Sequence, residues 1–416
     1  MEVQDLIAVP ARSGFYRDDQ AAIGGGAERD GFLYTGRPRT EGFSRVREPG
    51  SAVSLILVLE DGRIALGDCA EVQYAGVGGR GAVMTQQATM SEVESLLRPH
   101  LIGTDVSEFR SVAEAVDGMD LSIPSRYGIS QALLDATAQV QRRTMAEVIR
   151  DEYSTGIEIE PVPLYAQSGD DRFLNVDKMI MKGVDVLPHG LINAVDDKLG
   201  YDGGLLLDYV GWVAERIGAI GGSAYRPVIH IDVYGMLGVI FSGDLGRVVA
   251  YLGRLRERAA PYRLRVEHPV DAGSREGQIA AGVQLRRLLR ERDIDLEIVA
   301  DEWCNTLDDI REFVASGAAD MVQVKTPDLG GIGNTVEALL TARRGGVGAF
   351  CGGTCNETDV SARVSAHIAM ACGADQVLAK PGMGVDEGLM IVGNEMARIS
   401  ALIAARDRRA HAAEVH

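Results

Sequence analysis

Several things are missing from this sequence, and each absence closes off a class of function. It contains no stretch of about 18 consecutive uncharged apolar residues, the length that a membrane-crossing helix requires. The opening residues, Met1-Glu2-Val3-Gln4-Asp5-Leu6-Ile7, lack the basic start and apolar core of a secretory signal, so a cytoplasmic protein is expected. Positive charge is scarce: 42 Lys and Arg stand against 60 Asp and Glu, a formal net charge of −18. That balance argues against nucleic acid and anionic membranes as partners, because binding there depends on clustered Lys and Arg. An anionic ligand would need a metal ion to supply the positive charge. The five cysteines (Cys69, Cys304, Cys351, Cys355, Cys372) include no CxxC pair, so reduced thiols are expected rather than a zinc site or a disulfide framework.

What is present is a chain of 416 residues, too long for one ordinary compact core, with the 46% hydrophobic and 25% charged content of a globular protein. Residues 1–160 read as an α+β segment. Ser51–Leu59 and Arg63–Val72 flank the turn dipeptide Asp61-Gly62, a hairpin signal, and helical patterns follow over Met84–Leu101, Val106–Met119 and Ser125–Arg150. Gly76-Val77-Gly78-Gly79-Arg80-Gly81 formally matches a dinucleotide-binding GxGxxG. No parallel βαβ unit with an acidic second strand end follows it, so a loop is the better reading.

From residue 161 to 416 the texture changes to short apolar runs alternating with helical patterns. Eight runs are visible: Val162–Gln167, Met179–Val186, Val228–Asp232, Leu264–Glu267, Glu297–Asp301, Met321–Lys325, Gly348–Cys351 and Gln376–Lys380. Eight β-α units predict an α/β fold, a (β/α)8 barrel of the TIM type, with its active site at the C-terminal strand ends. The polar, alanine-rich tail from Arg406 is expected to fray.

Reading only the strand ends yields a constellation. The third, fourth and fifth runs end in Asp232, Glu267 and Asp301, 35 and 34 residues apart. Each acid alone could cap the following helix, but three on consecutive strands would converge. Carboxylates so placed repel one another unless a cation sits among them, and an all-oxygen set suits Mg²⁺. Lys325 ends the sixth run and His189 follows the second; opposite one another in a ring of eight, they are placed as two bases for opposite faces of one carbon. Gln167, Thr354, Cys355 and Lys380 complete the set of strand ends.

These features resemble the enolase superfamily, in which a capping α+β segment precedes the barrel. More narrowly, Ala166-Gln167-Ser168-Gly169-Asp170-Asp171, His230-Ile231-Asp232-Val233-Tyr234-Gly235, Ala300-Asp301-Glu302-Trp303-Cys304-Asn305, Gln323-Val324-Lys325-Thr326-Pro327-Asp328 and Cys351-Gly352-Gly353-Thr354-Cys355-Asn356 are similar to motifs of the methylaspartate ammonia-lyases. The resemblance implies that Asp232, Glu267 and Asp301 hold Mg²⁺, that Lys325 removes the C3 proton of (2S,3S)-3-methylaspartate, and that His189 serves the opposite face. It further implies that Gln167, Gln323, Thr354 and Cys355 hold the substrate, with Gln73 as a lid contact. Mesaconate and ammonia would be the products, a monovalent cation such as K⁺ an activator, and a homodimer the assembly. Phe350 stands where a Tyr is expected and His268 where a Gly is expected, departures that bear on substrate preference rather than reaction class. The nearest rival is another metal-dependent dehydratase or racemase of the same superfamily; a binding or scaffold protein would be favoured by loss of Lys325 or a metal carboxylate, and all are present.

Overall fold

The computed structural model describes residues 1–414 apart from 75–79, 81 and 384. The glycines of the GxGxxG match at 76, 78, 79 and 81 therefore lie outside the described residues.

In the first region three antiparallel strands form a sheet in the order β1 (Val3–Asp18), β4 (Arg47–Leu59) and β5 (Ile64–Cys69), with a small ribbon of β2 (Arg29–Asp30) and β3 (Leu33–Tyr34) to one side. The expected hairpin is β4–β5. Gly62 supplies its positive φ of 83°, and Asp61 Oδ1 accepts a 3.1 Å hydrogen bond from the Arg63 amide. The helix expected over Ser125–Arg150 is two helices, Ile123–Gln141 and Met145–Glu152. Arg142 breaks the run at φ 54°, and Thr144 with Glu147 forms a capping box that starts the second helix.

Eight parallel strands close the barrel in the ring order β6 (Leu164–Tyr165), β7 (Val186–His189), β8 (Val228–Asp232), β9 (Leu264–Glu267), β10 (Glu297–Ala300), β11 (Met321–Val324), β12 (Gly348–Cys351) and β13 (Gln376–Leu378). The second run needs correction. Met179 and Ile180 belong to the buried face of helix Arg172–Met181, and the strand is Val186–His189; Gly183, at φ 66°, lies in the turn between them. The tail also needs correction. Helix Glu387–Glu414 continues through Arg406, whose guanidinium pairs with Glu147 at 2.7 Å and donates to the Arg142 carbonyl at 3.1 Å. This helix is long and apolar enough to cross a membrane by length and composition, but Val392, Met396 and Ile399 pack into the core and Glu395 accepts from His367.

The buried side chains fall into three clusters. One joins the first region to β11, β12, β13 and their helices; a second is made by β7, β8, β9 and theirs; a third, Tyr165, Val186, Val299, Met321, Phe350 and Leu378, fills the barrel interior.

Candidate active site

Register brings the acids together. Asp232 and Glu267 are directly paired residues on β8 and β9, and Asp301 is the first residue beyond β10. All three are buried, and their ligand oxygens lie within 4.8 Å of one another. Burial pushes the Glu267 carboxyl well above the usual range, and the charges of Asp232 and Asp301 push it further. Such a set is unfavourable without a cation, and three buried carboxylates with no nitrogen or sulfur among them fit a hard divalent ion such as Mg²⁺.

Lys325, one residue beyond β11, places its ammonium 2.6 Å from Asp301 Oδ1 and 3.6 Å from Glu302 Oε1. Burial works against that charge, but Asp301 and Glu302 together outweigh it and hold the lysine above its ordinary pKa. Glu302 responds in the opposite sense. Burial alone would raise it, yet Lys325 and Arg80 bring it down to about 2. On the far side of the ring His189 ends β7 in a left-handed conformation, φ 66°. Its Nδ1 accepts from the Leu191 amide at 3.2 Å, which leaves the proton on Nε2, 3.4 Å from Asp232 Oδ2.

Of the nine residues expected at the site, all except Glu267 line one cleft, and Glu267 lies buried among the carboxylates. Gln323 Nε2 donates to Glu267 Oε1. The buried Oε1 atoms of Gln167 and Gln323 have no partner among the described residues, so both are acceptors available to a ligand. Cys355 Sγ donates to Gln73 Oε1 at 3.3 Å, which brings the first region to the cleft, and burial pushes that thiol up to about 12.

Some of the site was not legible from strand ends. Tyr74 and Tyr234 meet hydroxyl to hydroxyl at 3.4 Å; the Tyr74 ring lies 6.0 Å from the Lys325 ammonium, and the Tyr234 ring packs edge-on against His189 at 5.9 Å. Tyr234 stands in the His230–Gly235 motif and Tyr74 next to Gln73, and only the fold shows that they adjoin the two candidate bases. Beneath Glu267, His230 Nε2 lies 2.9 Å from Glu267 Oε2. The Gln376 amide is fixed by accepting from Arg265 at 2.6 Å, so its Nε2 donates to His230 Nδ1 at 3.1 Å and leaves the His230 proton facing Glu267. Burial, with Arg265 and His189 nearby, depresses His230 well below its ordinary value and keeps it neutral.

Lys380, the eighth strand-end residue, is turned inward. Its fully buried ammonium meets Glu357 at 2.8 Å, Thr326 Oγ1 at 2.9 Å and the Gly352 carbonyl at 2.8 Å, while Tyr127 of the first region donates to Glu357 at 2.5 Å. A side chain at Gly353, where φ is 136°, would collide with both members of this pair. Phe350 packs in the barrel interior at 5.1 Å from Tyr165 and 5.9 Å from His230, so the ring expected to carry a hydroxyl there is apolar while its neighbour Tyr165 carries one. His268 follows Glu267 at φ 47° with its side chain buried.

Family profiles described as the methylaspartate ammonia-lyase N-terminus and C-terminus match residues 1–154 and 156–405. The chain belongs to the methylaspartate ammonia-lyase family. Methylaspartate ammonia-lyase 2 of Carboxydothermus hydrogenoformans is 52% identical over 412 residues, which cover 98% of this chain and 99% of that protein. The solved Mg-complex of beta-methylaspartase from Clostridium tetanomorphum has a TM-score of 0.93 at 51% identity, covering 98% of this chain and 100% of that one. The Citrobacter amalonaticus methylaspartate ammonia-lyase containing (2S,3S)-3-methylaspartic acid has a TM-score of 0.95 at 47% identity, over 97% and 100%. Muconate cycloisomerase from Pseudomonas fluorescens, 17% identical with a TM-score of 0.61 over 89% of this chain and 84% of that one, shares the fold. Membership in the methylaspartate ammonia-lyase family makes the chain a carbon–nitrogen lyase.

Proposed function

We propose that Lys325 removes the C3 proton of (2S,3S)-3-methylaspartate and that ammonia is then eliminated from C2 to give mesaconate, reversibly. The observation that carries this reading is the opposition of Lys325 and His189 across a cleft floored by Asp232, Glu267 and Asp301. The magnesium-bound and methylaspartate-bound relatives support it. In this reading residues 1–160 form a capping domain, residues 161–416 the catalytic barrel, and the working assembly is a homodimer activated by a monovalent cation such as K⁺.

The proton to be removed lies alpha to a carboxylate that is already charged, so its departure builds a second negative charge there. Asp232, Glu267 and Asp301 would hold Mg²⁺, which when bound supplies Lewis-acid stabilisation of that charge. Gln323 braces Glu267 from β11, two strands round the ring, and His230 braces it from the adjoining β8. Gln167, with its unpartnered oxygen, is suited to accept from the substrate ammonium; Thr354 and Cys355 border the same cleft. His189 would exchange the proton from the opposite face. Tyr74 and Tyr234 cover both candidate bases and limit water at the cleft.

Mixing the protein with methylaspartate and Mg²⁺ is expected to raise mesaconate absorbance and release ammonia, and chelation of the metal is expected to stop both. Full activity after exhaustive chelation, or turnover of a different acid in place of methylaspartate, would defeat the reading. A lysine base works only when neutral, and Lys325 is held above its ordinary pKa, so kcat/KM should climb with pH through the basic range. Added Mg²⁺, by opposing Asp301, should move that limb to lower pH. A limb at the same pH at every Mg²⁺ concentration would show that the metal does not help to free the base.

A further inference from the structure

The glycine-rich stretch set aside as a nucleotide fingerprint contains one residue with an unusual placement. Arg80, from the first region, has a side chain only 4% exposed and reaches across to the barrel. Its Nη1 pairs with Glu302 Oε2 at 2.5 Å, its Nε with Asp328 Oδ2 at 2.7 Å, and its Nη2 donates to Asn305 Oδ1 at 2.9 Å. These acceptors sit on two loops, after β10 and after β11, each within four residues of a principal site residue. Glu302 adjoins Asp301 and Asn305 lies one turn further on; Asp328 donates its amide to the carbonyl of Lys325 at 2.9 Å.

We propose that Arg80 is a positioning residue for proton abstraction, tying the two loops together so that Lys325 keeps its geometry toward the substrate. The inference rests on the assignment of Lys325 as the base. The mechanical argument is that Glu302 has one carboxylate oxygen on Arg80 and the other 3.6 Å from the Lys325 ammonium. With the guanidinium present, Glu302 is anchored on its outer side, and the lysine is held by Asp301 at 2.6 Å. Without it, two partly buried carboxylates, Glu302 and Asp328, lose their shared cation, and the Lys325 ammonium, 3.6 Å from Glu302, is close enough to replace it. The lysine would then be drawn off its line toward the cleft. Only a planar fork with several donors can serve three acceptors on two loops at once, so lysine at this position would hold one of them.

The test uses the whole enzyme, with Arg80→Met and Arg80→Lys compared with wild type on C3-protonated and C3-deuterated methylaspartate. Arg80→Met is expected to lower kcat on the order of 10²-fold, the usual cost of a misplacement near 1 Å, with KM little changed. The primary deuterium isotope effect should rise as C–H cleavage becomes slower than the other steps. Arg80→Lys should recover part of kcat, and free guanidinium should partly rescue Arg80→Ala. A strut that matters only for folding would lower the melting temperature and the active fraction while leaving the isotope effect of the surviving enzyme at its wild-type value. That outcome overturns the proposal, as does an unchanged kcat. If Arg80→Met does not fold, the isotope effect of Arg80→Lys decides in the same way. Failure of the underlying reading looks different: wild type would not convert methylaspartate, or Lys325→Ala would still do so.

Discussion

Replacing Lys325 with alanine is expected to suppress turnover of (2S,3S)-3-methylaspartate by at least the 10²–10⁴-fold that general-base removal typically costs, with the protein still folded. Mesaconate formation measures the first part and thermal melting the second. The fold should survive because the two acids that lose their cation are not left bare: Arg80 still pairs with Glu302 at 2.5 Å, and Asp301 remains in the carboxylate set suited to a divalent ion. Lys325→Arg should be nearly as inactive, since a guanidinium stays protonated throughout the accessible pH range and cannot accept the C3 proton. His189→Ala provides the control for direction. It should impair exchange at the opposite face more than turnover of the (2S,3S) diastereomer. If it instead stops that diastereomer while Lys325→Ala spares it, the two bases serve the faces in reverse.

Lys380→Met is the substitution expected to cost the most stability, about 3–5 kcal/mol by chemical denaturation, because it strands the fully buried Glu357 without its cation. Burial alone does not make an ion pair stabilising, and the effect expected here comes from breaking the pair rather than from its net contribution. Its partners explain why the loss would spread. Glu357 also accepts from Tyr127 and from the amide of Thr354, and Lys380 also holds Thr326 and the Gly352 carbonyl. The pair therefore fixes the loop that presents Thr354 and Cys355 and ties it to the first region. Tyr127→Phe should cost only about 1 kcal/mol, the usual worth of one hydrogen bond, and the double substitution Lys380→Met with Glu357→Gln should recover part of the loss. An unfolding midpoint unmoved by Lys380→Met would mean that the pair contributes nothing beyond what a methionine can replace.

The distribution of what could be read in advance has a physical cause. Asp232, Glu267 and Asp301 were legible because each ends a short apolar run, and one β-α unit separates each from the next. Lys325 and His189 were legible because ring position follows from counting such runs. β1 was missed: its 16 residues include Pro10 and Gly14, which read as breaks, and much of it is exposed. Proline is tolerated there because β1 is an edge strand of its sheet. The second barrel strand was misplaced because Met179 and Ile180 are apolar for the sake of a helix face rather than a strand. The Lys380–Glu357–Tyr127 cluster and the Arg80 contacts draw on side chains up to 253 residues apart, and no local pattern announces such partners.

The division of the buried side chains into separate clusters has a consequence for how this enzyme could be altered. Lys325 is rooted in the half of the barrel that shares its packing with the first region, whereas His189 is rooted in the half that packs by itself. The two candidate bases are thus carried on opposite banks of a fault line, and the carboxylates span it, Asp232 and Glu267 on one bank and Asp301 on the other. The third cluster crosses that line, with Val186 of β7 sharing one interior with Met321 of β11 and Phe350 of β12, and the sheet closes around it, so the distance between the bases is set by the barrel interior. Changes in those interior side chains, rather than in the outer helices, are therefore the ones expected to alter the space open to a side chain at C3.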